Sequence, residues 1–254
     1  MALLLSVLEQ GMIYGILALG VYITYKILDF PDLTVDGSFP FGAAITVRLI
    51  NGFGVPAILT LPIAFLGGAL VGICTGLIHV KLKVRDLLSG IIMMTGLYTI
   101  NLWVAGSGYV AIFDKENIFN NSFVNSITPG FLVNFKNVII IFLITMVAKY
   151  LLDWYMSTKS GFLLRAVGDN DTIVTSLGVD KGLVKIVGLS IANGLVSLSG
   201  CIYAQQQRSF EISIGTGAVV IGLASVIIGT SLFKKVTFLS LIHISEPTRP
   251  LYIS

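Results

Sequence analysis

The sequence predicts an all-α integral membrane protein, a polytopic bundle of about seven helical spans, some of them broken or re-entrant. Three observations predict it. Of the 254 residues, 55% are hydrophobic and only 11% are charged, where a soluble domain carries roughly 25% charged residues. Mean hydropathy is +0.93, so the chain has too little polar surface for a water-facing exterior, and lipid must solvate much of it. Apolar stretches also recur at the length needed to cross a hydrocarbon core, about 20 residues.

The first span is predicted at Leu3–Tyr25. It lacks the basic n-region and small-residue cleavage site of a signal peptide, and it is too long for an h-region, so it is read as a helix that stays. Glu9 lies within it, and Gly11 and Gly15 share one face. The turn-rich stretch DFPDLTVDGS at 29–38 follows. The second span, Phe39–Ile50, is short: either a broken, partly re-entrant helix lining a pathway, or a short helix with a loop at its mouth. A charge at a helix centre costs roughly 2.5–3.5 kcal/mol, so Asp32 and Asp36 should avoid lipid. Asp32 is expected in an interfacial loop in water, with Thr34, Gly37 and Ser38 completing a small polar cluster.

The third span, Val55–Val80, carries Gly68, Gly72 and Gly76 on one face, a spacing that lets helix backbones approach closely. Such a face serves packing within the chain or a dimer interface. The fourth span is Leu87–Ala105. In it Met94, Tyr98 and Asn101 fall at i, i+4 and i+7 and share a face. That face suits either a weakly sticky path for a partly apolar solute or helix packing with Asn101 as glue. The fifth span is Asn137–Leu152. The sixth, Ile186–Ala204, sets Ser190, Asn193, Ser197 and Gly200 at helical spacing, a face for burial against another helix or for lining a pore. Arg208 and Glu211 are expected to pair at the following turn. The seventh span, Gly217–Phe233, is short and glycine-punctuated.

After Phe238 membrane character stops. The run ISEPTRP at 244–250 resembles translated adapter sequence. The expectation is a transmembrane domain over 1–239, a non-native tail over 240–254, and a missing last span.

Basic residues give the orientation, because they accumulate on cytoplasmic loops. Eleven of the sixteen Lys and Arg fall in 26–37, 80–86, 149–185 and 234–235, against four on the other side and Arg249 in the tail. The N-terminus is therefore expected outside, the 106–136 loop outside, and the 155–185 loop in the cytoplasm. Within that loop the residues from Gly161 to Asp180 read as a helix, a polar break at Gly168–Asp171, a second short helix, and a glycine stop at Gly178.

Other classes find little support. The net charge is +3 with no basic run, so nucleic acid is not a predicted partner. No phosphate-binding GxxxxGK[ST] loop, HExxH pair or nucleophile elbow occurs. The two histidines are His79 and His243, and the two cysteines, Cys74 and Cys201, each lie in an apolar run. No catalytic or metal-binding residue is assigned.

Three ordered stretches carry a family resemblance. GFLLRAVGDN at 161–170 with SLGVDKGLVKIVGLSIANGLVSLSGCIYAQ at 176–205 resembles the coupling loop and following helix of ABC permeases of the branched-chain amino acid and ribose type. DLTVDGSF at 32–39 resembles the signature after that family's first helix. LLSGIIMMTGLYTINLWVAGS at 87–107 resembles the tryptophan/tyrosine-type subgroup, with Trp103 where that subgroup usually has a basic residue.

The resemblance implies an ATP-driven importer of a small solute, an amino acid and aromatic by the subgroup, in a bacterial cytoplasmic membrane. It also implies the partners: ABC ATPase subunits on the cytoplasmic side, an extracytoplasmic solute-binding protein, and a second permease chain forming a homodimer. No cofactor is expected in this chain, ATP being held by the partner subunit. ATPase coupling is expected at Gly161, Arg165, Ala166, Gly168, Asn170 and Gly178. The candidate solute path comprises Asp36, Ser38, Met94, Tyr98, Asn101 and Asn193. The alternative is a stand-alone secondary transporter, which would want ionisable residues at mid-membrane.

Overall fold

The computed structural model describes residues 2–113, 115–121, 135–169, 174–175 and 178–232. Asn170 and the 240–254 tail lie outside the described residues. Among the described residues seven long helices form the bundle: α1 (Ala2–Tyr22), α2 (Val35–Phe53), α3 (Thr60–Leu82), α4 (Asp86–Ala105), α5 (Lys136–Met156), α7 (Lys181–Gln207) and α8 (Ala218–Leu232). A short helix, α6 (Lys159–Asp169), lies between α5 and α7. Strands β1 (Tyr109–Ala111) and β2 (Ser209–Glu211) pair antiparallel, with Val110 opposite Phe210.

Six of the described helical stretches are long and apolar enough to cross a membrane. The seventh long helix, α2, is more polar and is wrapped by α3, α4, α7 and α8. It can carry Ser38 and Thr46 because both are buried among protein atoms with hydrogen-bond partners. The axis of the bundle is α7. Its apolar window is 67% buried, against 33% or less for the other five, so those five give most of their surface to the surroundings.

Close approach to α7 is made by glycine. A Cβ on Gly72 would strike the Leu189 carbonyl, one on Gly68 would strike Ser197 and the Asn193 carbonyl, and one on Gly76 would come within 3.0 Å of Ile186. The predicted small-residue face of α3 is thus a contact within the chain. Gly200 of α7 does the same against the Phe39 carbonyl of α2. Gly11 and Gly15 differ. A Cβ there would meet nothing within 4 Å, so that face of α1 packs against no other described part of the chain.

Between α1 and α2 the chain doubles back. The helix widens to a π-turn at Ile23–Ile27, Asp29 takes φ +50°, and the backbone then climbs into the bundle. Phe30 and Asp32 end there 1% and 3% exposed. Asp32 is therefore buried, against its expectation in water. The reason is local: its Oδ1 accepts from Thr34 N at 2.8 Å and starts α2 from inside. The second span is correspondingly longer than predicted, a continuous helix from Val35 to Phe53. Pro40 inside it has no N–H, which leaves the Asp36 carbonyl without its usual helical donor.

At the end of the bundle that carries Lys26, Lys83 and Lys181, α6 lays its buried Gly161, Leu164 and Val167 on the core. The predicted break was Gly168–Asp171; α6 runs through Gly168 to Asp169, and residues 170 and 171 lie outside the described residues. Gly168 instead abuts the Ile27 carbonyl, where any side chain would collide. Gly178 takes φ +74°, the left-handed conformation that glycine reaches without a Cβ penalty. Asp180 then caps α7, accepting from Gly182 N at 2.7 Å. Glu211 accepts from Ser213 Oγ at 2.5 Å, and among the described residues no ion pair joins it to Arg208.

Candidate functional site

A cavity of about 350 Å³ lies where α2, α4 and the turn before α8 meet. Asp36, Gly37 and Pro40 line it from α2, Met94, Thr95, Tyr98 and Asn101 from α4, and Ile212 and Thr216 from the turn. Four of the six predicted path residues, Asp36, Met94, Tyr98 and Asn101, therefore share one wall. Met94 and Asn101 stand about 12 and 22 Å along α4 from its basic end, at ~1.5 Å per residue.

Each polar group in that wall has a structural origin. Asp36, in the first turn of α2, turns its carboxylate onto the start of α8. Oδ1 accepts from Val219 N at 2.7 Å and Oδ2 from Gly217 N at 3.2 Å. It acts as a cap for a helix far along the chain, a favourable place for a negative charge. Gly215 fits beneath, so close to the Asp36 carbonyl and the Pro40 ring that a Cβ would collide with both. Asn101 is fully buried, and its Nδ2 donates to the Gly37 carbonyl at 3.1 Å. Tyr98 is 54% exposed and lines the cavity.

Ser38 and Asn193 lie elsewhere, in a dry polar network behind the cavity. Ser38 Oγ donates to Asn193 Oδ1 at 2.6 Å. Asn193 Nδ2 donates to Asp32 Oδ2 at 2.8 Å and to the Leu189 carbonyl at 3.1 Å. Thr34 and Thr75 hydroxyls meet at 3.1 Å beside it. Every member is buried and partnered, so the network ties α2, α3 and α7 together.

Thr95, Ile212 and Thr216 line the cavity without having been singled out in the sequence. Thr95 follows Met94 on α4, a signal that helical spacing could have supplied. Ile212 and Thr216 arrive only because Asp36 draws the start of α8 toward α2, and no local pattern encodes that.

Of the residues expected to couple to an ATPase, the described ones, Gly161, Arg165, Ala166 and Gly168 on α6 and Gly178 after it, lie at the basic end. Gly161 packs onto the backbone of Met156, and Gly168 onto Ile27 and Leu28. Phe162 stands 54% exposed, with the Arg165 guanidinium 5.9 Å from its ring centroid. The short helix thus buries one edge and presents an aromatic and a cation on another.

Known proteins match over most of the chain. The family model described as branched-chain amino acid transport system / permease component covers residues 3–242. A tyrosine transport system permease protein of Clostridioides difficile is 43% identical over 93% of this chain and 76% of its own length. A probable branched-chain amino acid transport permease protein of Methanocaldococcus jannaschii is 26% identical over 85% of this chain and 70% of its own. A ribose import permease protein of Escherichia coli is 26% identical over 89% and 68%. No solved structure matches. Spanning helices in this order, and a family match over nearly the whole length, make the chain a member of the branched-chain amino acid transport system permease family, a multi-pass membrane subunit of the ABC type for amino acids or sugars.

Proposed function

We propose that this chain carries an amino acid of aromatic character across a bacterial cytoplasmic membrane. Its cavity between α2, α4 and α8 lies on the solute's path, and α6 receives an ABC ATPase. One observation carries the reading: the cavity collects a carboxylate, a thioether, a phenol ring and an amide into one wall. That mixture suits a small solute with an apolar body and a polar end. The 43% identity to a tyrosine transport permease supports the choice of amino acid.

Two such chains pair around the path, an extracytoplasmic binding protein delivers solute, and two ATPase subunits close on ATP against α6. The chain itself needs no catalytic residue. ATP acts by favouring one access state, and a swing from 1:99 to 99:1 requires about 5.5 kcal/mol of differential binding. A stand-alone carrier driven by ions would need a titratable group free to exchange its proton or ion. The buried carboxylates among the described residues are Glu9 and Asp32; Glu9 accepts from Gln206, and both oxygens of Asp32 are engaged by Thr34 and Asn193.

The test is uptake of labelled tyrosine into proteoliposomes holding this chain, its binding protein and its ATPase subunits. Uptake that needs ATP and all partners supports the proposal. Tyrosine uptake by this chain alone, driven by an ion gradient, would replace it with secondary transport.

A further inference from the structure

Asn101, one of the residues lining the cavity, holds an amide oxygen with nothing to bind, covered by protein so that a donor must part the seam between α2 and α4 to meet it. Asn101 is fully buried, and among the described residues its Oδ1 has no hydrogen-bond partner. The orientation of the amide is set by its other end. Nδ2 donates to the Gly37 carbonyl, and a flipped amide would press oxygen against oxygen. What remains is an acceptor only, held dry, and a buried acceptor left unpaired costs free energy comparable to a lost hydrogen bond. A donor that reaches it recovers that cost.

The charge of the wall selects the kind of donor. Among the described residues Asp36 is the one charged residue lining the cavity, and no cation joins it there. The two α8 N–H groups on its carboxylate offset part of the negative charge, not all of it, and lone pairs remain on both oxygens. Such a wall favours a cation over an anion, its remaining donors being the neutral hydroxyls of Thr95, Tyr98 and Thr216. The Tyr98 ring and the Met94 thioether beside it suit the apolar body that carries the cation.

We propose that Asn101 Oδ1 is the recognition point for an ammonium group. An amine-bearing solute enters the seam between α2 and α4 and donates to Asn101 while facing Asp36, and any carboxylate it carries points out of the cavity. This rests on the reading that the cavity lies on the solute's path. It adds a demand that the path alone does not make, a positively charged donor on the solute.

The experiment uses the full complex in proteoliposomes, with Met94→Cys introduced and Cys74→Ser removing the exposed native thiol. Alkylation by N-ethylmaleimide is timed with tyramine present, or with 3-(4-hydroxyphenyl)propionate, a probe of like ring and opposite charge. The expected result is that tyramine gives half-maximal protection at a concentration about tenfold or more below that of the propionate, the scale of one charge-assisted hydrogen bond. Asn101→Leu should abolish that protection. Equal protection by the two probes, no protection by tyramine, or full protection in Asn101→Leu would overturn the proposal. The probe comparison is made with Asn101 intact, so it stands even where the leucine variant fails to fold. The path is judged separately, by tyrosine uptake before and after alkylation of the same variant. Uptake that survives complete labelling would remove the path reading itself.

Discussion

Asn193 Nδ2 meets Asp32 Oδ2 at 2.8 Å, although 161 residues separate the two in sequence. The contact pins the climbing segment before α2 to the middle of α7, and Ser38 completes it from α2 through Asn193 Oδ1. Replacing Asn193 by leucine strips a donor from a buried carboxylate and an acceptor from a buried hydroxyl. The expected cost is on the order of 2–4 kcal/mol, read as a lowered thermal unfolding midpoint in detergent. An unchanged midpoint would mean that the network contributes nothing to the bundle.

Glycine substitutions should divide sharply by neighbourhood. Gly200→Val pushes a branched side chain into the Phe39 carbonyl and should prevent α2 and α7 from seating. Loss of the monodisperse peak in size-exclusion chromatography measures this. Gly96→Ala on α4 meets nothing within 4 Å and should be neutral or stabilise by up to about 1 kcal/mol.

Asp36 links cavity and helix start. Asp36→Ala removes both side-chain acceptors from Gly217 N and Val219 N, at a cost of about 1–2 kcal/mol. Asp36→Asn keeps one carbonyl acceptor and should lose less. The ordering of wild type, asparagine and alanine in thermal midpoint checks it.

The exposed edge of α6 should separate function from stability. Phe162→Ala with Arg165→Ala removes the aromatic and the cation that α6 presents, and is expected to shift stability by about 0.5 kcal/mol or less. ATP-driven uptake should nevertheless fall to background while the chain remains inserted. Gly168→Val should act differently, because its side chain strikes the Ile27 carbonyl and lifts α6 from its seat. Uptake at the wild-type rate in the double alanine variant would free α6 from any part in coupling.

Much of this architecture was legible from hydrophobic run length, and the shared face of Met94, Tyr98 and Asn101 from helical spacing alone. Periodicity says which residues share a face, not what the face meets. Asn193 has the same helical spacing as its polar neighbours, yet its face meets α2 and Asp32 where the Asn101 face meets the cavity. Asp32 was expected in water because Pro31 and Thr34 around it read as a loop. That the loop turns inward depends on Asn193 and on Gly90, which lets Leu33 approach α4. Gly168 was read as the first residue of a break over Gly168–Asp171, yet it lies within α6, since a glycine chosen for close approach and one chosen to end a helix are the same letter. Gly11 and Gly15 show the converse, a close-packing spacing with open space beside it.

The π-turn and the climb that follows it have a mechanical consequence. Gly168 rests on the backbone of Ile27, and the chain from there to Asp36 is short, buried at Leu28, Phe30 and Asp32, and anchored on both sides. Little slack exists between those points. Were a partner to press on the short helix, as proposed, this taut segment would act as a lever on the first turn of α2, and the displacement would reach the chamber without passing along the long spans.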